Sequence, residues 1–201
     1  MPASPIRKLA PLAYAAEDRG VKIYRLNIGQ PDLPTPQKAL DVLKHIDRKT
    51  QEYSPSQGYR SLREALVGYY NRYQIKLNAD DIIVTCGGSE AVLFAFMSCL
   101  IPGDEIIVPV PMGAFYTVAK LPVEDTEDFC AWCLREFCWK DEYTPEGKIG
   151  ETIMMAPAAG FYSTPGMGRD QVRLAYVLNK KDIQRALFLL EKALEMYKNK
   201  N

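Results

Sequence analysis

One histidine, His45, is all the imidazole the sequence offers, and it has no excess of charge: 25 lysines and arginines face 25 aspartates and glutamates. A neutral chain exerts no general pull on nucleic acid or on an anionic membrane surface, so neither is expected as a partner. Long apolar runs are missing too. The most apolar stretch, FAFMSCLIP, is cut by Pro102 and Gly103 before it could cross a bilayer. The N-terminal MPASPIRKLAPLAYAAEDRG lacks the apolar core of a secretory signal and mixes its charges, so it is expected to belong to the mature protein.

Cysteine is scarce and odd in number. Five residues at irregular spacing argue against a disulfide framework and for a reducing cytoplasm. Cys130 and Cys133 form a C-x-x-C with Cys138 nearby, but a redox or zinc role needs a helix N-terminus or a second ligand pair, and neither is visible. No metal ligand set is expected. DTEDFCAWCLREF reads instead as a helix that buries Phe129, Cys133 and Phe137 at four-residue spacing, with cysteine serving as a small hydrophobe.

What is there is globular: 47% of residues are hydrophobic and 25% charged, and 201 residues suffice for one substantial core or two small ones. Ser4-Pro5 predicts a short helix that ends near Gly20. VKIYRLNIG predicts a strand, stopped by GQPDLPTP. Residues 36–47 are expected to be helical, and EYSPSQGY a loop. Ser61 to Glu64 has capping-box spacing, followed by an apolar stripe of Leu62, Ala65, Leu66, Tyr69, Tyr70 and Tyr73. DDIIVT and GDEIIVPV predict two buried strands around the almost wholly apolar helix at 89–100, which expects cover on every side. Beyond Gly113 the pattern changes to a smaller α/β unit. AFYTVAKLPV, TIMMAP and QVRLAYVL read as strands, KDEYTPEGKIG as a polar excursion and AAGFYSTPGMG as a loop. Asn179 is expected to cap a final helix with Ile183, Ala186, Leu187, Leu190, Leu194 and Tyr197 on one face. Buried parallel strands flanking an apolar helix belong to a wide sheet covered on both faces, and only its beginning is present here.

Three features could carry chemistry. In IIVTCGGSEAVLF, two glycines and Ser89 stand at a helix N-terminus, where backbone N–H groups can receive a phosphate. Alone, this spacing equally describes an ordinary strand–helix turn with a serine cap. Arg173 lies in a strand with Val172 and Leu174 pointing to the opposite face, and can make a planar two-point clamp on a carboxylate, or simply be a surface arginine. Tyr53 and Gly58 sit in a turn-rich loop, where a tyrosine is usually packing.

LNIGQPDLPTP, EYSPSQGYRSLREAL, DDIIVTCGGSEAVLFAF and GDEIIVP, followed by GAFYTVAKLPV, MMAPAAGFYSTPG and QVRLAYVLN, occur in the order found in class I/II aminotransferases of the aspartate aminotransferase fold. The chain resembles that family along nearly its whole length. The resemblance implies an α/β pyridoxal-phosphate-transferase-like fold, here a small α/β domain plus the first strand–helix–strand unit of a truncated large domain. Residues 1–110 would hold the N-terminal arm, a small-domain segment and the start of the large domain, and residues 111–201 the C-terminal small domain. By the family's motifs, Gly87, Gly88, Ser89 and Glu90 would bind the phosphate of pyridoxal phosphate, with Tyr53 reaching a neighbour's cofactor across a homodimer interface. Gly29 and Arg173 would meet the substrate carboxylate. The reaction implied is amino-group transfer between an amino acid and a 2-oxo acid.

The resemblance also implies a gap. After GDEIIVP the family continues with a segment that holds the S-x-S-K lysine and the aspartate paired with the pyridine nitrogen, and neither motif occurs here. The junction is placed between Pro109 and Met112. Lys120 lies in a small-domain strand and reads as a surface residue. Without a Schiff-base lysine the expected catalytic set is empty and turnover negligible. The alternative is a non-catalytic α/β scaffold or partner-binding fragment. The uncovered helix at 89–100 is expected to promote self-association.

Overall fold

The computed structural model describes residues 4–46, 49–50, 52–104 and 114–200. The chain divides into two compact units, residues 1–34 with 111–201, and residues 35–110.

The first unit is a mixed α/β body. Helix α1 (Ala10–Asp18) starts later than Ser4. Pro11 explains this: in a helix already running from residue 5 it would lack its N–H and meet the Arg7 carbonyl, so residues 5–9 form turns and the helix sets in where proline is tolerated. Gly20, at φ +85°, ends it. Strand β1 (Val21–Arg25) follows and pairs in parallel with β3 (Gly150–Met154), Val21 opposite Gly150 and Arg25 opposite Met154. A second sheet has β5 (Gln171–Ala175) at its centre, antiparallel to β2 (Tyr116–Lys120) and to β4 (Ala156–Pro157). Only Met155 separates β3 from β4, so one run of chain serves both sheets.

Helices α5 (Thr126–Arg135) and α6 (Lys180–Lys198) pack on β3, every residue of which is buried. The cysteine helix behaves as its spacing predicts. Asp125 caps it by accepting from the Glu127 N–H at 2.8 Å, and Phe129, Cys133 and Phe137 are all buried. Asn179 caps α6 as expected, accepting from the Asp182 N–H at 3.1 Å. The buried face of α6 is rotated from the expected one: Ala186, Leu189, Leu190 and Ala193 are buried, whereas Leu187 is 51% exposed. Two small alanines let the helix sit close on β3, and that turns Leu187 to the rim.

In the second unit the described helices are α2 (Gln37–Lys44), α3 (Arg60–Asn71) and α4 (Gly88–Cys99). Its only buried side chains among the described residues are Arg63 and Ile82. Several expectations fail here. The N-cap of α3 is Tyr59, so Ser61 lies inside the helix and makes no capping box, and Glu64 pairs with Arg60 at 2.8 Å instead. The apolar stripe of α3 is largely exposed, with Leu62 and Tyr69 at 45% and 49%. DDIIVT is not a strand: Ala79–Asp81 is a 3₁₀ turn, Ile82 after it is extended, and residues 82–85 form no ladder among the described residues. An extended segment becomes a strand only beside a partner; among the described residues its backbone N–H bonds are Val84 to the Gln57 carbonyl at 3.0 Å and Ile82 to the Ala79 carbonyl at 3.4 Å. Helix α4 buries none of its residues. Most of GDEIIVPV, and the expected junction at 109–112, lie outside the described residues.

Candidate functional site

In the first unit, the segment after β1 is drawn between the two sheets. The Leu26 N–H donates to the Met154 carbonyl at 2.8 Å, and the Leu26 carbonyl accepts from the Ala175 N–H at 2.7 Å. This places Asn27 beside β5. The Asn27 carbonyl accepts a hydrogen bond from Arg173 Nη2 at 2.9 Å. Val172 and Leu174 point into the core, as the alternation requires, and Arg173 takes the other face.

On that face the guanidinium meets aromatic rings and, among the described residues, no acid. Its central carbon lies 4.2 Å from the Tyr116 ring centroid and 4.8 Å from that of Phe161. Arg173 Nε is buried with no hydrogen-bond partner among the described residues, and so is Asn27 Oδ1, whose amide nitrogen is spent on the Ile6 carbonyl at 2.9 Å. A buried donor left unpaired costs about 1–3 kcal/mol, so an acceptor arriving there would recover it. Gly29 joins this group, since a Cβ on it would run into the Tyr116 hydroxyl and the Phe115 ring. The fold therefore brings Gly29 and Arg173, named separately from the sequence, into one cluster.

In the second unit, Gly87 is the N-cap of α4 and contributes no side-chain cap, so Ser89 is inside the helix rather than capping it. The Cys86 N–H donates to Glu90 Oε2 at 2.7 Å, and Thr85 Oγ1 donates to the Gly87 carbonyl at 3.0 Å. A Cβ at Gly87 or Gly88 would meet nothing within 4 Å. First-turn N–H groups and open approach suit an anion, whereas the Glu90 carboxylate, held at the same terminus, opposes one. Tyr53 is fully exposed, and among the described residues no hydrogen bond or ring contact joins it to this turn. No lysine partners the turn among the described residues either. The first-turn N–H groups could receive the phosphate of pyridoxal phosphate, but these residues offer nothing for its aldehyde, so the fit is incomplete. Lys120 is 75% exposed and pairs with Asp170 at 2.8 Å, as a surface residue would.

The Cys130–Cys133 pair does not form a second site. Burial raises both thiol pKa values far above the usual range, the opposite of an activated thiolate.

Residues 21–119 match the family described as aminotransferase class I and II. Over that segment the chain is similar to the class I and II aminotransferases. The match takes in Gly29, Tyr53 and Gly87–Glu90, and stops short of Arg173. Similar aminotransferases include the aspartate aminotransferase of Pyrococcus horikoshii, 37% identical over 115 residues, which is 56% of this chain and 28% of that protein. The aspartate aminotransferase of Thermotoga maritima is 31% identical over 118 residues, covering 58% of this chain and 31% of the relative. The LL-diaminopimelate aminotransferase of Moorella thermoacetica is 33% identical over 128 residues, 58% and 33% of the two chains. The chain thus matches about a third or less of the length of these aminotransferases. Among the described residues no helix is long and apolar enough to cross a membrane.

Proposed function

We propose that this chain carries the carboxylate-binding part of a pyridoxal-phosphate-dependent aminotransferase without the part that performs the reaction. The parent activity is amino-group transfer between an amino acid and a 2-oxo acid. In this reading, residues 35–110 are the start of the large cofactor domain, residues 1–34 with 111–201 are its small domain, and the family's central segment drops out at about 109–112. The observation that carries the proposal is Arg173, a guanidinium placed beside Gly29 with, among the described residues, a buried, unpaired Nε and no acid to neutralise it. Such a group can grip any α-carboxylate. Gly87, Gly88, Ser89, Glu90 and Tyr53 keep the remains of the phosphate site.

No lysine of the 201 residues stands in an S-x-S-K setting, so no catalytic residue is assigned and turnover is expected to be negligible. The exposed apolar surface of α4, with Met97 at 71% and Leu93 at 53%, supports self-association or a homodimer. Charge neutrality supports small molecules over nucleic acid or membrane as partners, and five free cysteines support a cytoplasmic setting.

Titration with pyridoxal phosphate followed by ultraviolet–visible spectra, borohydride reduction and peptide mapping tests the catalytic half. The expected result is no imine band and no single modified lysine. One lysine modified stoichiometrically, with turnover of an amino acid and 2-oxo acid pair, would sink the proposal. The carboxylate half is tested by titrating pyruvate against its methyl ester: binding of the acid and not of the ester is expected, and is lost in Arg173→Met.

A further inference from the structure

Resting on the carboxylate reading above, we propose that Tyr116 and Phe161 are the positioning residues that fix the guanidinium plane of Arg173, and that residue 29 is glycine because Tyr116 needs its space.

The register supplies Tyr116. Val118 is directly opposite Arg173 on β2, and Tyr116 lies two residues along the same face. That diagonal separation is one an aromatic side chain spans. Its ring reaches the guanidinium, and its hydroxyl end comes to rest where a side chain on residue 29 would have to be. Phe161 reaches the same guanidinium from the short 3₁₀ turn Ala159–Phe161.

Comparison with neighbouring arginines shows what the rings achieve. In the same unit Arg25 is paired with Glu17, Arg169 with Asp125, and Arg185 with both Asp141 and Glu151. Each of those guanidiniums is paired with at least one acid, which takes one or more of its N–H groups. Among the described residues the Arg173 side chain makes one hydrogen bond, to the Asn27 carbonyl, and rests on two π faces. Ring contact attracts the cation and restricts its plane without taking an N–H, so charge and donors both remain for an incoming carboxylate. A two-point clamp depends on that plane being set beforehand.

Two measurements on the full chain separate this positioning role from the carboxylate reading. The first follows the Arg173 Nε–H resonance in ¹⁵N-labelled protein, assigned by its disappearance in Arg173→Lys. Slow solvent exchange is expected in the wild type and in Tyr116→Phe, and exchange at least about tenfold faster in Tyr116→Leu, in Phe161→Leu and in Gly29→Ala, which displaces the Tyr116 ring. A wild-type Nε–H that exchanges as fast as an exposed arginine overturns the proposal, as does an unchanged rate in folded Tyr116→Leu or Phe161→Leu. The second titrates pyruvate. Binding is expected to weaken about tenfold in the leucine variants and stay near wild type in Tyr116→Phe, with the thermal midpoint of each variant as a check on folding. Pyruvate bound equally well by the leucine variants also overturns the proposal. A slow Nε–H that responds to the variants as expected, with no pyruvate bound by the wild type, upholds the positioning and removes the carboxylate reading alone.

Discussion

Side chains of one type can meet opposite fates in this fold, and the cysteines show it. Cys130 and Cys133 are buried on α5, whereas Cys86, Cys99 and Cys138 are exposed. Attack on an alkylating reagent requires the thiolate, and burial denies the first two both access and charge. Iodoacetamide at neutral pH should therefore label Cys86, Cys99 and Cys138 in the folded protein and reach Cys130 and Cys133 only after denaturation, as peptide mass spectrometry would read. Rapid labelling of Cys130 would contradict the packing of α5. The same contrast holds for charge. Glu151 is entirely buried yet satisfied, accepting from Tyr24 Oη at 2.9 Å, from Thr144 Oγ1 at 3.2 Å and from Arg185 Nε at 3.0 Å. Replacing Arg185 by methionine would strand that carboxylate, at a cost of about 3–5 kcal/mol, visible as a lower denaturation midpoint. If Arg185→Met were near neutral in stability, Glu151 would have to have found another partner or a proton.

At the scale of elements, what could be read in advance depended on whether the information was local. The Asn179 cap was legible because a cap lies within three residues of what it caps. Its value is testable: Asn179→Ala should destabilise by about 1 kcal/mol, with the loss of order beginning at the N-terminal end of α6. Asn179 also holds Asp32 by its N–H at 2.8 Å and its side-chain nitrogen at 2.7 Å, and those bonds draw the Asp32 pKa below its usual value. Loss of the cap alone would leave residues 30–33 unchanged in amide exchange, whereas loss of the bond to Asp32 should loosen them. Strands β1, β3 and β5 were legible from composition and alternation, since each found a partner. DDIIVT, of similar composition, has no ladder partner among the described residues and is not a strand there. Ser61 fitted the spacing of a capping box, but after the turn at Gly58 the helix starts two residues earlier, with Tyr59 as its N-cap. Arg173 could be singled out as a strand arginine able to clamp a carboxylate, but Gly29 only as a family motif. Their assembly with Tyr116 depended on the β2–β5 register, which nothing local encodes, and the partners Asp141, Glu151 and Arg185 come together from distant parts of the sequence in the same way.

For the whole molecule, burial is distributed very unequally, and this has a thermodynamic consequence. The first unit holds a continuous core in which Phe129, Leu134, Ile153, Val172 and Leu189 are essentially inaccessible. The second unit buries Arg63 and Ile82 among its described residues, and leaves Phe94, Phe96 and Met97 of α4 exposed. Apolar burial is what offsets the entropy of ordering a chain, at about 25 cal/mol per Å² removed from water. A helix of twelve residues that buries none of them is marginal in water on its own. The two units should accordingly open separately. Amide hydrogen exchange is expected to show strong protection in α5, β3 and the middle of α6, and little in α3 and α4. Adding a binding partner for the apolar surface, including a second copy at high concentration, should raise protection in α4 and leave α5 unchanged. Equal protection across both units in dilute monomer would mean that α4 has cover that its exposed side chains do not reveal. Acid should act on the first unit instead. Arg185 holds the Asp141 carboxyl well below its ordinary pKa, so the folded state binds that proton less readily than the unfolded chain does. Its contribution is present in full above the ordinary aspartate range and declines as pH falls below it. The stability difference between wild type and Asp141→Asn should thus be constant near neutrality and shrink below about pH 4. A difference that instead grew on acidification would reverse the sign and exclude Asp141 as the group responsible.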